Sequence, residues 1–245
     1  MKIDISDTKA ELGTKAATDG ADAIRQAIVK TGAARIVLAA AASQFEMLAE
    51  LIAADEIDWS KVVAFHLDEY AFLASTHPAS LRRFLKERFI QKLPQPLAAF
   101  HSINAEGNLM LECSRLGRLL AQNPIDVAFI GIGENAHVAF NDPPADFTTD
   151  EAYKVVELDE VCRRQQLGEG WFPTIDAVPT QAISMTAPQI LRSKRIVCTV
   201  PDQRKAKAVR DTVEGPVTPD IPASILQEHP AVTLYLDRES ASLLT

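Results

Sequence analysis

The chain has 245 residues, 47% of them apolar and 24% charged, enough to bury a full core; this balance excludes a disordered segment, a fibre or a disulfide-stapled miniprotein. Its 33 acidic against 25 basic side chains leave a formal charge of −8, which argues against a generally cationic nucleic-acid or lipid surface and requires any anion site to be local. The opening MKIDISDTKAELG has no apolar core, no run of about eighteen apolar residues follows, and Cys113, Cys162 and Cys198 are odd in number and outside any CxxC pattern, so a cytoplasmic protein with inert thiols and no metal site is expected.

Helical periodicity runs from about Ala10 to Lys30 and stops before Gly32. The apolar run ARIVLAAAA then predicts a strand entering a loop, followed by a helix over Phe45–Ala54. Lys61–Phe65 predicts a strand, Pro78–Phe89 a proline-started helix and Glu112–Gln122 another helix. Val127–Ile130, apolar throughout, suits a sheet covered on both faces. Between Thr148 and Pro179 the pattern is irregular, with a short helix near Val161, and reads as an elaboration on the sheet. Gln181–Met185, Arg195–Val200 and Ala231–Leu236 supply the later strands, with helices over Arg204–Val213 and Pro222–Glu228. No linker or repeat divides the chain. The expectation is a single domain over residues 1–245, an α/β/α three-layer sandwich on a mostly parallel, Rossmann-like sheet with right-handed crossovers.

In such sheets ligands collect beyond the carboxyl ends of the strands. Three loops fall there. AAAASQ, at 39–44, sets Ser43 and Gln44 just before a helix, where free amides can receive a phosphate; a helix cap is the plainer reading of Ser43. AFHLDEY places His66, Asp68 and Glu69 just after a strand, where a carboxylate can serve as general base or brace a turn. GIGENAHVAFNDP concentrates Glu134, Asn135, His137, Asn141 and Asp142 behind Gly131 and Gly133, glycines that permit backbone conformations a side chain would penalise. His137 can move a proton near neutral pH, with Asp142 stabilising its charged form and Asn135 orienting the ring. Lys205, opening a late helix, can contact an anionic oxygen or simply face solvent. No spacing here specifies a metal or a dinucleotide.

Taken together, HLDEY, GIGENAHVAFNDP, KAKAVRDTVEG and SILQEHPAVTLYLD resemble the glucosamine-6-phosphate deaminase and isomerase family, along roughly residues 30 to 238. The related 6-phosphogluconolactonases share a GxGExxH loop, but DEY and AFNDP look more like the deaminase branch. The resemblance implies deamination of an amino-sugar phosphate to fructose 6-phosphate and ammonia without a cofactor. It makes Asp68 the base between C2 and C1, His137 the ring-opening acid/base and Asp142 its supporting carboxylate. Asn135 falls where a further family carboxylate helps set the histidine. Ser43, Gln44, Gly133 and Lys205 fall at substrate-binding positions, and a homo-oligomer is compatible with the family. The sequence departs from the pattern at Ala40, Ala41 and Ala42 in the phosphate loop, and at Asn135, Ala136 and Asp142. Near Glu169 the family places an arginine, for which Arg163 or Arg164 would substitute. Ala145, Asp146 and Ala152 replace residues suited to an anionic effector. A lactonase-like enzyme or a noncatalytic sugar-phosphate sensor are the other readings.

Overall fold

The computed structural model describes residues 1–245. Seven parallel strands form the main sheet: β1 (Lys2–Ser6), β2 (Ala34–Leu38), β3 (Val62–His66), β5 (Ala99–His101), β6 (Val127–Ile130), β9 (Arg195–Val200) and β10 (Val232–Asp237). They lie in the order β1-β10-β9-β6-β2-β3-β5. Side chains alternate across this sheet. Val37, Ala128, Ile130 and Cys198 enter the core on one face, and Ile36, Leu38, Val127, Phe129 and Val197 the core on the other. A sheet buried on both sides needs apolar residues at successive positions, which is what these strands carry.

Helices α1 (Lys9–Thr31), α2 (Phe45–Ala53) and α3 (Leu81–Arg88) cover one face through Leu12, Ala16, Met47, Leu51 and Leu85. On the other, α4 (Leu109–Leu120), α6 (Ala187–Leu191) and α7 (Ala206–Glu214) contribute Leu116, Ile190 and Val209. The three layers match the expected sandwich. Local chemistry sets the ends of α1: the Thr8 side chain accepts from Glu11 N, and Gly32, at φ 83°, closes the last turn onto the carbonyl of Ile28. At Gly20 this helix lies so close to the sheet that a Cβ would stand 2.2 Å from the Phe129 ring.

Four features differ from the sequence expectation. β1 and β5 are additional strands; both lie at sheet edges, where half-exposed short segments carry no apolar run. The α3 helix starts after Ser80, whose hydroxyl accepts from Arg83 N, so Pro78 belongs to the preceding turn, and Pro222–Glu228 is a 3-10 rather than an α-helix. DEY is not loop but a strand, β4 (Asp68–Tyr70), in a second, antiparallel sheet with β8 (Gln181–Met185) and β7 (Tyr153–Glu157). The irregular stretch after Thr148 thus supplies β7 and then α5 (Glu160–Gly168). No helix is long and apolar enough to cross a membrane.

Candidate functional site

The strand order reverses direction once at the centre. From β2 the chain proceeds outward to β3 and β5, then returns to place β6 on the other side of β2 before moving outward through β9 and β10. The loops leaving β2 and β6 therefore diverge, and the gap between them at the carboxyl edge is where an open α/β sheet leaves room for a ligand. A cleft lies there, lined by Ala39 to Ser43 after β2, Gly131 to Gly133 and His137 after β6, and Pro201, Asp202, Arg204 and Lys205 after β9. Asp68 and Tyr70 of β4 form one wall, and Gln165, Gln166, Glu169 and Trp171, in and after α5, form another.

His137 is held from behind. Its Nδ1 lies 3.2 Å from Asp142 Oδ1, within ion-pair reach but off the axis of a well-aligned hydrogen bond. Asn135 does not contact the imidazole. Its Oδ1 accepts from the His137 backbone N–H at 3.1 Å, and its Nδ2 donates to Asp142 Oδ1 and Asp159 Oδ2, each at 3.1 Å. The amide thus joins two carboxylates and acts on the ring through Asp142. Asp142 also accepts from Asp159 N at 3.1 Å. Burial opposes ionisation of Asp142, but the contacts with His137, Asn135 and the Asp159 amide outweigh it, and its carboxyl lies below the usual range. Gly133 makes room for the ring: a Cβ would stand 2.2 Å from His137 Cε1. Neither Gly131 nor Gly133 has positive φ; the left-handed positions of this loop are Ala136, at 64°, and Ala139, at 53°.

Across the cleft, Asp68 is 8% exposed. Burial, then the neighbouring Glu69, push its carboxyl up to about 8. Glu69 has a different task. It is fully buried and accepts from Ser80 Oγ and the backbone amides of Tyr70, Leu81 and Arg82, closing the start of α3. His66 ends β3 inside the core, its imidazole pushed down to about 3 by burial and, secondarily, Arg82; it does not line the cleft.

At the third side, Lys205 is buried at the end of the 3-10 turn Gln203–Lys205. Burial lowers its pKa, and Glu169 and Glu134 oppose that shift without cancelling it. Arg204 lies 3.3 Å from Glu134. Ser43 faces the cleft from the 3-10 turn Ala42–Gln44 that leads into α2; the carbonyls of Ala41 and Ala42 take the amides of Gln44 and Phe45, so the amides of Ala42 and Ser43 are the first of this helical run. Gln44 does not face it: fully buried, it donates through Nε2 to Thr199 Oγ1 at 2.7 Å, Ser43 Oγ at 3.1 Å and Ile130 O at 3.2 Å, tying the ends of β6 and β9 to this turn. Neither Arg163 nor Arg164 reaches the cleft. Arg163 braces the carbonyls of Ile175 and Val178, Arg164 pairs with Glu160 on the surface, and Glu169 faces the cleft instead.

Potential metal-ligating atoms of His137, Asp142 and Cys162 lie within 4.8 Å of one another. Burial and then the carboxylates of Asp142 and Asp159 hold the Cys162 thiol far above its ordinary range. Cys113 and Cys198 are also free and buried.

Residues 7–235 match the sequence model for glucosamine-6-phosphate isomerases/6-phosphogluconolactonase. The chain belongs to this family. It is 36% identical over 248 aligned positions to the glucosamine-6-phosphate deaminase of Oenococcus oeni, covering all of this chain and 99% of that one. It is 37% identical to that of Lactobacillus delbrueckii subsp. bulgaricus, with both chains fully covered. Among solved structures, a monomeric glucosamine-6-phosphate deaminase superposes with a TM-score of 0.90 at 34% identity, covering 99% of this chain and 100% of the other. The 6-phosphogluconolactonase of Trypanosoma brucei shares the fold, with a TM-score of 0.81 at 15% identity over 100% of this chain and 98% of that one.

Residues of three of the four motifs meet at the cleft, and none of SILQEHPAVTLYLD lines it. Asp68, His137, Ser43, Gly133 and Lys205 face one cleft, with Asn135 and Asp142 directly behind His137. Sequence reasoning missed Asp159, Tyr70, Gln165, Gln166, Arg204 and Trp171. One signal was available: Asp159 precedes a helical run and its Oδ1 accepts from Cys162 N, as a capping aspartate does.

Proposed function

We propose that this chain deaminates an amino-sugar phosphate, converting glucosamine 6-phosphate and water to fructose 6-phosphate and ammonia. The observation that carries this reading is the convergence on one cleft of a buried carboxyl held up to about 8, an imidazole backed by a carboxylate, and a buried amine. Full-length similarity to two proteins named as glucosamine-6-phosphate deaminases supports the choice of substrate.

The phosphate binds between Lys205 and the Ala42–Ser43 amides, where the rest of an acidic protein offers it little. Burial lowers the pKa of Lys205, and a phosphate dianion beside it acts in the opposite sense and favours the ammonium form. His137 gives a proton to the ring oxygen and takes the one released by the C1 hydroxyl, opening the hemiacetal and leaving the imidazole charged for the next step. Asp142 Oδ1, 3.2 Å from Nδ1, keeps the ring in place during this exchange. Asp68, ionised, then takes the C2 proton. The C2–H electron pair forms the C1=C2 bond as the C1 oxygen is protonated, giving an enolamine. Return of the proton to C1 leaves a C2 imine, to which water adds, and collapse of the carbinolamine expels ammonia and forms the ketone. A carboxyl held near 8 is a stronger base than an ordinary one, which suits abstraction from carbon.

All the groups in this sequence belong to one chain, and we propose a monomer as the active unit, the state described for the similar solved deaminase. A turnover screen of amino- and non-amino-sugar phosphates, with ammonia and ketose measured separately, tests the activity. Stoichiometric ammonia and fructose 6-phosphate from glucosamine 6-phosphate is expected. Ketose without ammonia, hydrolysis of a phosphorylated lactone alone, or binding without turnover would each replace the reading.

A further inference from the structure

Two consecutive glutamines on α5 line the cleft, and their hydrogen bonding differs. Gln165 is bonded at both ends: its Oε1 accepts from Glu134 N at 3.0 Å and its Nε2 donates to Glu169 Oε1 at 2.9 Å. Gln166 is 9% exposed and only half used. Its Oε1 accepts from the hydroxyl of Tyr70 at 2.7 Å, and its Nε2 has no acceptor in the protein. Tyr70 is itself closely packed. It is 1% exposed, its ring lies 5.2 Å from Phe140 and meets Phe172 edge-on at 5.4 Å, and its backbone is fixed in β4 opposite Ala182. A carboxamide whose oxygen is fixed by a phenol presents its nitrogen in a set direction. Gln166 shares the cleft wall with Asp68, His137 and Tyr70.

We propose that Gln166 is a specificity-determining residue of this cleft, its amide nitrogen donating to an oxygen of the bound sugar phosphate, and that Tyr70 is a positioning residue that holds the amide in that orientation. The inference rests on the sugar-phosphate reading of the cleft. The donor is neutral and geometrically fixed, so it selects by the place of an acceptor, not by charge. That nitrogen is accessible in the free protein, so the bound acceptor takes the place of water on a donor already aimed, and the net gain of that exchange appears in binding. Both a phosphate oxygen and a sugar hydroxyl have the required chemistry.

The test is calorimetric titration of the wild type, Gln166→Met, Gln166→Glu, Tyr70→Phe and Tyr70→Phe/Gln166→Met with two probes, inorganic phosphate and glucosaminitol 6-phosphate. The latter is the C1-reduced open chain, which cannot undergo proton transfer between C2 and C1. Gln166→Met is expected to weaken the sugar probe about tenfold, the size of one net hydrogen bond, and Gln166→Glu to weaken it more, since it keeps an acceptor for Tyr70 but turns a carboxylate on the ligand. Tyr70→Phe should weaken it by about threefold, and the double variant should bind no worse than Gln166→Met, because Tyr70 acts only through Gln166. A parallel loss for inorganic phosphate assigns the acceptor to the phosphate; a loss confined to the sugar probe assigns it to a hydroxyl. In steady-state turnover of glucosamine 6-phosphate, KM should rise by more than kcat falls. Wild-type affinity in both Gln166 variants, or additive losses in the double variant, overturns the inference. Absence of ammonia release by the wild type overturns the proposed reaction while the titrations still decide the role of Gln166.

Discussion

Replacing Asp68 with Asn should abolish turnover and stabilise the protein, and the size of the second effect follows from the first. In the folded chain the carboxyl titrates at about 8, against about 3.9 in an unfolded one. A carboxyl whose folded pKa is raised contributes stability that is complete below the unfolded value and is lost as pH rises toward the folded value. The slope between the two is about 1.4 kcal/mol per pH unit, so by pH 7 the wild type has lost about 4 kcal/mol that an amide, which does not titrate, retains. At 8% exposure, solvent does little to screen this. Urea unfolding of both proteins between pH 5 and pH 9 measures it. The stability difference should favour the variant increasingly from pH 5 to about 7.5 and level off above 8. Glu69 also has a raised pKa, but it is present in both proteins and largely cancels in the difference. The same titration predicts that wild-type kcat/KM rises about tenfold per pH unit below 8, since the base must be ionised. Parallel stability curves for the two proteins, or turnover by the variant comparable to wild type, would refute the poised carboxyl.

The remaining predictions concern the groups facing Asp68. Gly133→Ala puts a methyl group 2.2 Å from the His137 ring, so kcat should fall about a hundredfold with circular dichroism unchanged; activity within twofold of wild type would show that the ring needs no such approach. Asn135→Asp exchanges a donor for a carboxylate oxygen 3.1 Å from both Asp142 and Asp159. It should cost about 2 kcal/mol at pH 8 and less at pH 5, where one carboxyl takes up a proton, and an equal cost at both pH values would contradict the contact. Lys205→Met should raise KM for phosphorylated sugars about tenfold to a hundredfold, with a smaller effect on kcat, and an unchanged KM would place the phosphate elsewhere.

The central strands were legible because burial on both faces writes a continuous apolar run, as in Val127–Ile130, and helix α1 because its small-residue face and terminal Gly32 punctuate a long period. The edges were not: β1 carries Lys2, Asp4 and Ser6 on a strand paired on one side only, a pattern shared with any polar segment. At the site, His137 and Asp142 share one loop motif and Asp68 lies in another, each directly after a central parallel strand, which is what made them legible. Gln44 shows the limit of that reasoning. A glutamine beside a phosphate loop suits a ligand, but Thr199, distant in sequence, receives its nitrogen inside the protein. Glu69 was equally ambiguous in sequence, because its donors lie at the start of a helix 11 to 13 residues on. Gln166 was invisible, since what marks it is the partner of its oxygen.

The least regular stretch of sequence is also the one that touches both ends of the cleft. At the start of α5, Asp159 donates its amide to Asp142 and accepts from Asn135 and Cys162, which joins the helix to the support of His137. Six or more residues later the same segment carries Gln165, Gln166 and Glu169 to Glu134, Tyr70 and the neighbourhood of Lys205. The substitution at Asn135 gains meaning from this arrangement. An aspartate there would stand as a third carboxylate at the helix start, whereas the amide lets Asp142 and Asp159 approach a common point and keeps a negative charge on each side of it. The position of α5, acting through Asp159, thus fixes Asn135 and Asp142, the two side chains that hold the His137 backbone and ring.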